Sequence, residues 1–207
     1  MTARDEVLAR VRSALAGQPA AADVPRDYRT AGEHSQGAPE LLALLTDRLV
    51  DYRAAVRRCS ATDLGATVAG VLTEHSLLRV VAPAGVPQSW LGAAEVLRDD
   101  PPLPVTALDG ADAVVTGCAV AIAETGTIVL DAGPDQGRRA LTLVPDVHVV
   151  VVRGEQVVQT VPEALARLDP VRPLTMISGP SATSDIELNR VEGVHGPRTL
   201  VVVLVEG

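Results

Sequence analysis

Leu77-Leu78-Arg79-Val80-Val81-Ala82 is a short, nearly unbroken apolar run. It lies between two stretches with helical patterning, Asp63 to Glu74 before it and Pro87 to Leu97 after it. A strand that is apolar on both faces belongs in a parallel sheet covered by helices, because a sheet wetted on one side alternates apolar and polar residues. The rhythm continues in both directions. Upstream, Leu41, Leu42, Leu44, Leu45, Leu49 and Val50 predict a helix from Glu40 to about Arg57. Downstream, His148 to Val152 and Leu174 to Ser178 read as strands, with a helix from Pro162 to Leu168 between them and proline at its start. Thr199-Leu200-Val201-Val202-Val203-Leu204-Val205 reads as a central strand. The expected class is α/β, an open and mostly parallel sheet with flanking helices.

Two regions depart from this rhythm. Between Ala113 and Asp131 three strand candidates follow one another closely: Ala113 to Cys118, Val120 to Ala123 and Thr127 to Asp131. Glycines separate them, so they read as strands meeting at tight turns, and Arg139 to Leu143 adds one or two helical turns. At the N-terminus, Thr2 can cap a helix whose apolar stripe is Val7, Leu8, Val11 and Leu15. Gln18 to Pro39 is rich in Ala, Pro, Gly and polar residues. Residues 1–38 therefore read as a helix and linker arm ahead of one α/β domain at 39–207. The arm either docks on a partner or a second subunit of a homo-oligomer, or folds back onto its own domain.

Composition removes several functional classes. The chain has 207 residues, 47% hydrophobic and 21% charged, enough to bury a core without disulfide or metal staples. No apolar stretch approaches the length of a transmembrane helix. The start, Met1-Thr2-Ala3-Arg4-Asp5-Glu6, has no apolar signal segment, so a cytoplasmic location is expected. All 18 basic residues are Arg, which removes the lysine of a Walker A loop and the amine of Schiff-base chemistry. With a net charge of −8 and only Tyr28, Tyr52 and Trp90 to stack on bases, nucleic-acid binding is not expected. Cys59 and Cys118 lie far apart and read as small buried apolar residues. His34, His75, His148 and His195 show no metal-ligand spacing, and no metal site is expected.

Three glycine-punctuated segments could carry chemistry. Ala123-Glu124-Thr125-Gly126-Thr127 sits between two strands and offers a carboxylate, two hydroxyls and a closely approachable backbone. Glu124 is the catalytic candidate, with Thr125, Gly126 and Thr127 as ligand contacts. The same segment reads equally as a tight turn with a solvated glutamate. Ser178-Gly179-Pro180-Ser181-Ala182-Thr183 follows a strand and has the make-up of an anion site, with Ser178, Gly179, Ser181 and Thr183 as contacts. A helix cap through Ser184 and Glu187 needs no ligand. Gly193-Val194-His195-Gly196-Pro197-Arg198 precedes the last strand. Gly193, His195, Gly196 and Arg198 are its candidates, with Arg198 able to meet a carboxylate or phosphate. A structural turn is the alternative.

The order of these segments resembles a known family. Ala123 to Thr127, then Arg139-Ala140-Leu141 with Leu143-Val144-Pro145-Asp146-Val147-His148, then Ser178 to Glu187, then Gly193 to Pro197, is similar to the LUD-domain family and its lactate utilization protein C group. The resemblance is strongest from Asp112 onward. It implies a fold like that of the sugar-isomerase and CoA-transferase superfamily. It also implies a bacterial system that oxidises L-lactate to pyruvate together with iron–sulfur partner proteins. With two cysteines, this chain resembles the cluster-free member, with no cofactor of its own and a small carboxylate or phosphate as the expected ligand. Two other functions stay open: a CoA-transferase-like enzyme using Glu124 as nucleophile, and a module that senses a carboxylate without turnover.

Overall fold

The computed structural model describes residues 2–17, 24–180, 182–183, 191–192 and 196–206. In chain order the helices are α1 (Ala3–Leu15), α2 (Pro39–Asp51), α3 (Leu64–Glu74), α4 (Val105–Asp109) and α5 (Val161–Leu165). The strands are β1 (Ala55–Ser60), β2 (Arg79–Ala82), β3 (Glu95–Arg98), β4 (Ala113–Thr116), β5 (Val120–Ile122), β6 (Thr127–Leu130), β7 (Val147–Arg153), β8 (Val157–Val158), β9 (Thr175–Ile177), β10 (Ala182–Thr183), β11 (Val191–Glu192) and β12 (Thr199–Glu206). Short 3-10 turns occupy Gln88–Trp90, Arg139–Thr142 and Gly154–Gln156.

Six strands form the main sheet in the order β1-β12-β7-β4-β2-β3, and every neighbouring pair is parallel. The valine runs explain its position in the molecule. In β12, Val201, Val203 and Val205 face a core formed with Leu64, Val68, Val71 and Leu72 of α3 and with Trp90. Leu200, Val202 and Leu204 face the opposite core, formed with Leu41, Leu42, Leu45 and Leu49 of α2. Alternate side chains therefore go to two different apolar layers, which is why the strand reads as a continuous run.

A second sheet of four strands, β8-β5-β6-β9, supplies the rest of that second layer through Ala121, Ile128 and Val157. Here β6 is antiparallel to both β5 and β9, and β8 joins β5 in parallel. The tight turns expected between Ala113 and Asp131 thus lead from the main sheet into a separate one.

Two sequence expectations are corrected. The helix expected from Glu40 to Arg57 ends at Asp51, and Ala55–Ser60 is β1. Arg53 takes a left-handed φ of 67° at that reversal. The helix expected from Pro87 to Leu97 is one 3-10 turn followed by β3. Both missed strands are sheet edges. An edge strand has room for polar side chains beside it, so Arg57 and Arg58 in β1 and Glu95 in β3 break the apolar run that marks an inner strand, as does Arg98, which donates to the carbonyls of Pro83 and Val86.

Candidate functional site

The turn carrying Glu124 joins β5 to β6. Its first residues extend the ladder to β8: the Ala123 N–H donates to the Val158 carbonyl (2.8 Å) and the Glu124 N–H to that of Gln159 (3.1 Å). Gly126 completes the reversal at φ 60°, and a Cβ there would stand 2.7 Å from the Cβ of Arg48 at the end of α2. The Glu124 carboxylate is engaged on both oxygens by the Arg29 guanidinium, and Gln159 Nε2 donates to Oε1 at 3.1 Å. Hydrogen bonding from Arg29 holds this carboxyl below the usual range for glutamate.

Gln159 also fixes the chain that brings Arg29. Its Oε1 accepts the backbone N–H groups of Glu33 (2.8 Å) and His34 (3.0 Å), and the Gly37 N–H donates to Val157 O (3.1 Å). Residues 29–37 of the arm are thus laid back along the second sheet. Helix α1 buries none of its residues. In this arrangement Glu124 acts as an anchor for the arm.

The Ser178 loop and the approach to β12 meet instead around a cavity of about 350 Å³. Its walls are Arg139, Thr142 and Leu143 from the turn before β7, His148 on β7, Thr175 to Pro180, and Gly196, Pro197 and Leu200. The cavity opens at the amino ends of β7 and β12. In open α/β sheets the usual position is the carboxyl ends. Near the entrances to β7 and β12 the chain runs through loops, and these, with β9 beside them, leave the hollow at this end.

Inside it, His148 is 1% exposed and shares a 2.8 Å hydrogen bond from Nε2 to the hydroxyl of Thr116. Burial pushes its pKa down to about 4, so the ring is neutral at neutral pH. The Ser178 hydroxyl lies 2.8 Å from that of Thr127, which lies 2.8 Å from that of Thr125. This chain of three hydroxyls ties the Glu124 turn to the cavity wall. Gly179 has φ 86°, and a Cβ there would lie 2.7 Å from the Cβ of Tyr52 and 2.9 Å from its carbonyl oxygen.

The arginines around the cavity differ in their partners. Arg138 pairs with Asp99 (2.7 Å), Arg172 with Asp131 (2.9 Å) and Arg198 with Asp146, whose carboxyl that contact holds low. Arg139, exposed at the rim, has no ion-pair partner among the described residues.

Of the residues expected from sequence, Ser178, Gly179 and Gly196 line the cavity. Thr127 and Thr125 reach it through the hydroxyl chain. Glu124, Gly126 and Arg198 are not in its lining, and the carboxylate that Arg198 meets is the chain's own Asp146. The Thr183 backbone pairs with Val191. Ser181, Gly193 and His195 lie outside the described residues. Thr142, His148 and Thr175 are not among the site residues expected from sequence. Arg139 and His148 already stood in the motif order, the one available signal. Arg29 and Gln159 gave no signal, since neither lies in a patterned segment.

Among the described residues no cluster of three or more His, Cys, Asp or Glu could hold a metal ion. Burial raises the pKa of both thiols, Cys118 by far the more. No described helix is long and apolar enough to cross a membrane.

A family model described as LUD domain matches residues 106–205. The chain is 50% identical over 208 residues to Lactate utilization protein C of Deinococcus radiodurans, covering 98% of this chain and 95% of that one. It is 29% identical to Lactate utilization protein C of an Exiguobacterium species, over 99% and 96% of the two chains. The crystal structure of a DUF162 family protein from Deinococcus radiodurans matches with a TM-score of 0.70 at 47% identity, covering 83% of this chain and 99% of that one. The likeness runs through both sheets and the arm-bearing half, and so the chain belongs to the LUD-domain family, in its lactate utilization protein C group.

Proposed function

We propose that this chain is the cluster-free component of a bacterial L-lactate utilization system. It works in the cytoplasm with iron–sulfur partner proteins that oxidise L-lactate to pyruvate, and it contributes a small anion-binding pocket. The observation carrying this reading is the 50% identity to a lactate utilization protein C across nearly the whole of both chains. Electron transfer falls to the partners because the donor set here does not suit a cluster. There are two cysteines, Cys118 is buried, and both thiols resist ionisation. The pocket is assigned to the cavity beside Arg139, His148 and Ser178, which is lined by three of the four motif segments.

The test is growth on L-lactate as sole carbon source. An in-frame deletion is expected to abolish growth, and the wild-type chain to restore it together with co-purification of iron–sulfur proteins. Unimpaired growth of the deletion strain on L-lactate would sink the proposal.

A further inference from the structure

We propose that the cavity at the amino ends of β7 and β12 binds a small 2-hydroxy or 2-oxo monocarboxylate whose carboxylate is held by Arg139. This rests on the anion-pocket reading above and names its ligand class.

The charge count selects the class. Arg139 is the one cationic side chain of the described lining, because Arg138, Arg172 and Arg198 each face an aspartate of this chain. His148 adds no charge, since its ring is buried and neutral. One guanidinium matches one carboxylate through paired hydrogen bonds. A phosphate ester would bring a second negative charge, and the described lining holds no second cation to balance it.

Size and polarity narrow the class further. A volume of about 350 Å³ stands at the small end of ligand sites and suits a ligand of a few heavy atoms. Thr175 and Ser178 offer hydroxyls for an oxygen next to the carboxylate, and Thr127 holds the Ser178 hydroxyl in place. Leu143 and Leu200 supply an apolar wall for a short alkyl group.

The purified full chain is titrated calorimetrically with sodium L-lactate, sodium pyruvate and potassium phosphate, with melting temperature followed in parallel. Saturable binding of L-lactate or pyruvate is expected, with melting raised as concentration increases. Phosphate is expected to bind at least about tenfold more weakly. Arg139→Gln should weaken monocarboxylate binding by about tenfold or more, the loss of one charge-assisted pair. Its ligand-free melting should match wild type, because Arg139 is exposed and has no ion-pair partner among the described residues. Absent monocarboxylate binding, tighter phosphate binding, or equal binding by Arg139→Gln each overturns the proposal. Failure of binding alongside a deletion that blocks growth on L-lactate overturns the site and leaves the pathway assignment standing. Binding alongside unimpaired growth supports the site and overturns the pathway assignment.

Discussion

Arg29 closes on the carboxylate of Glu124 across 95 residues of sequence, and that contact joins the N-terminal arm to the turn between β5 and β6. With Gln159 holding the Glu33 and His34 amides, it gives the arm a defined path over the second sheet.

Replacing Glu124 by Gln is expected to loosen the arm without unfolding the domain. Both partners are substantially exposed, so global melting should change little, whereas amide exchange at residues 29–37 should accelerate. Arg29→Gln should give the same exchange pattern. If Glu124→Gln leaves arm protection intact yet abolishes growth on L-lactate while accumulating normally, the carboxylate does chemistry and the anchor assignment fails.

His148 makes stability depend on acid. Its folded pKa of about 4 lies below the ordinary 6.5, so the unfolded chain binds a proton that the folded chain refuses. The contribution is complete above pH 6.5 and is lost progressively as pH falls toward 4, in total roughly 3 kcal/mol. Urea unfolding across that window should show the decline, and His148→Gln should remove it. An unchanged pH profile in the variant would exclude His148 as the source.

Thr127 and Ser178 share one hydrogen bond but should respond unequally to its loss. Thr127 is buried and holds the hydroxyls of both Thr125 and Ser178, so Thr127→Val should cost about 1–2 kcal/mol in urea unfolding. Ser178→Ala, at an exposed position, should cost less. A larger loss from Ser178→Ala would reverse the order of dependence argued here.

Gly179→Ala is expected to destabilise by at least about 1–2 kcal/mol, because the residue has a left-handed φ and Tyr52 fills the space a methyl would need. Chemical denaturation checks this directly, and a neutral result would mean that the turn can move away from α2.

The thiols should also separate by reactivity. A thiol reagent at neutral pH should label Cys59 slowly in the folded chain and reach Cys118 only in denaturant, since Cys118 is 2% exposed. Equal labelling of both in the folded state would contradict the burial of Cys118.

Much of the architecture was legible because inner parallel strands carry their own signature. Val80 to Ala82, Val149 to Val152 and Leu200 to Val205 are buried on both faces, and continuous apolarity suits that position. The edges β1 and β3 were not legible, since Arg57, Arg58 and Glu95 pair with charges, Arg98 donates to backbone carbonyls, and all four look like helix or loop in isolation. Local pattern also could not show that the closely spaced middle strands leave the main sheet for a second one.

For the site, the order of Glu124, Arg139, His148 and Ser178 along the chain was enough to indicate the family and the segments that matter. Which of them share a space was settled by tertiary structure alone. Sequence gives each arginine the same charge, but the fold pairs Arg138, Arg172 and Arg198 with aspartates and leaves Arg139 at the cavity rim. Likewise Glu124 is anchored by an arginine 95 residues away, while Ser178, 54 positions later, lines the cavity. Composition and periodicity determine which residues must leave water. Pairing between distant charges and hydroxyls depends on where the packed layers place them, and that is a property of the whole fold.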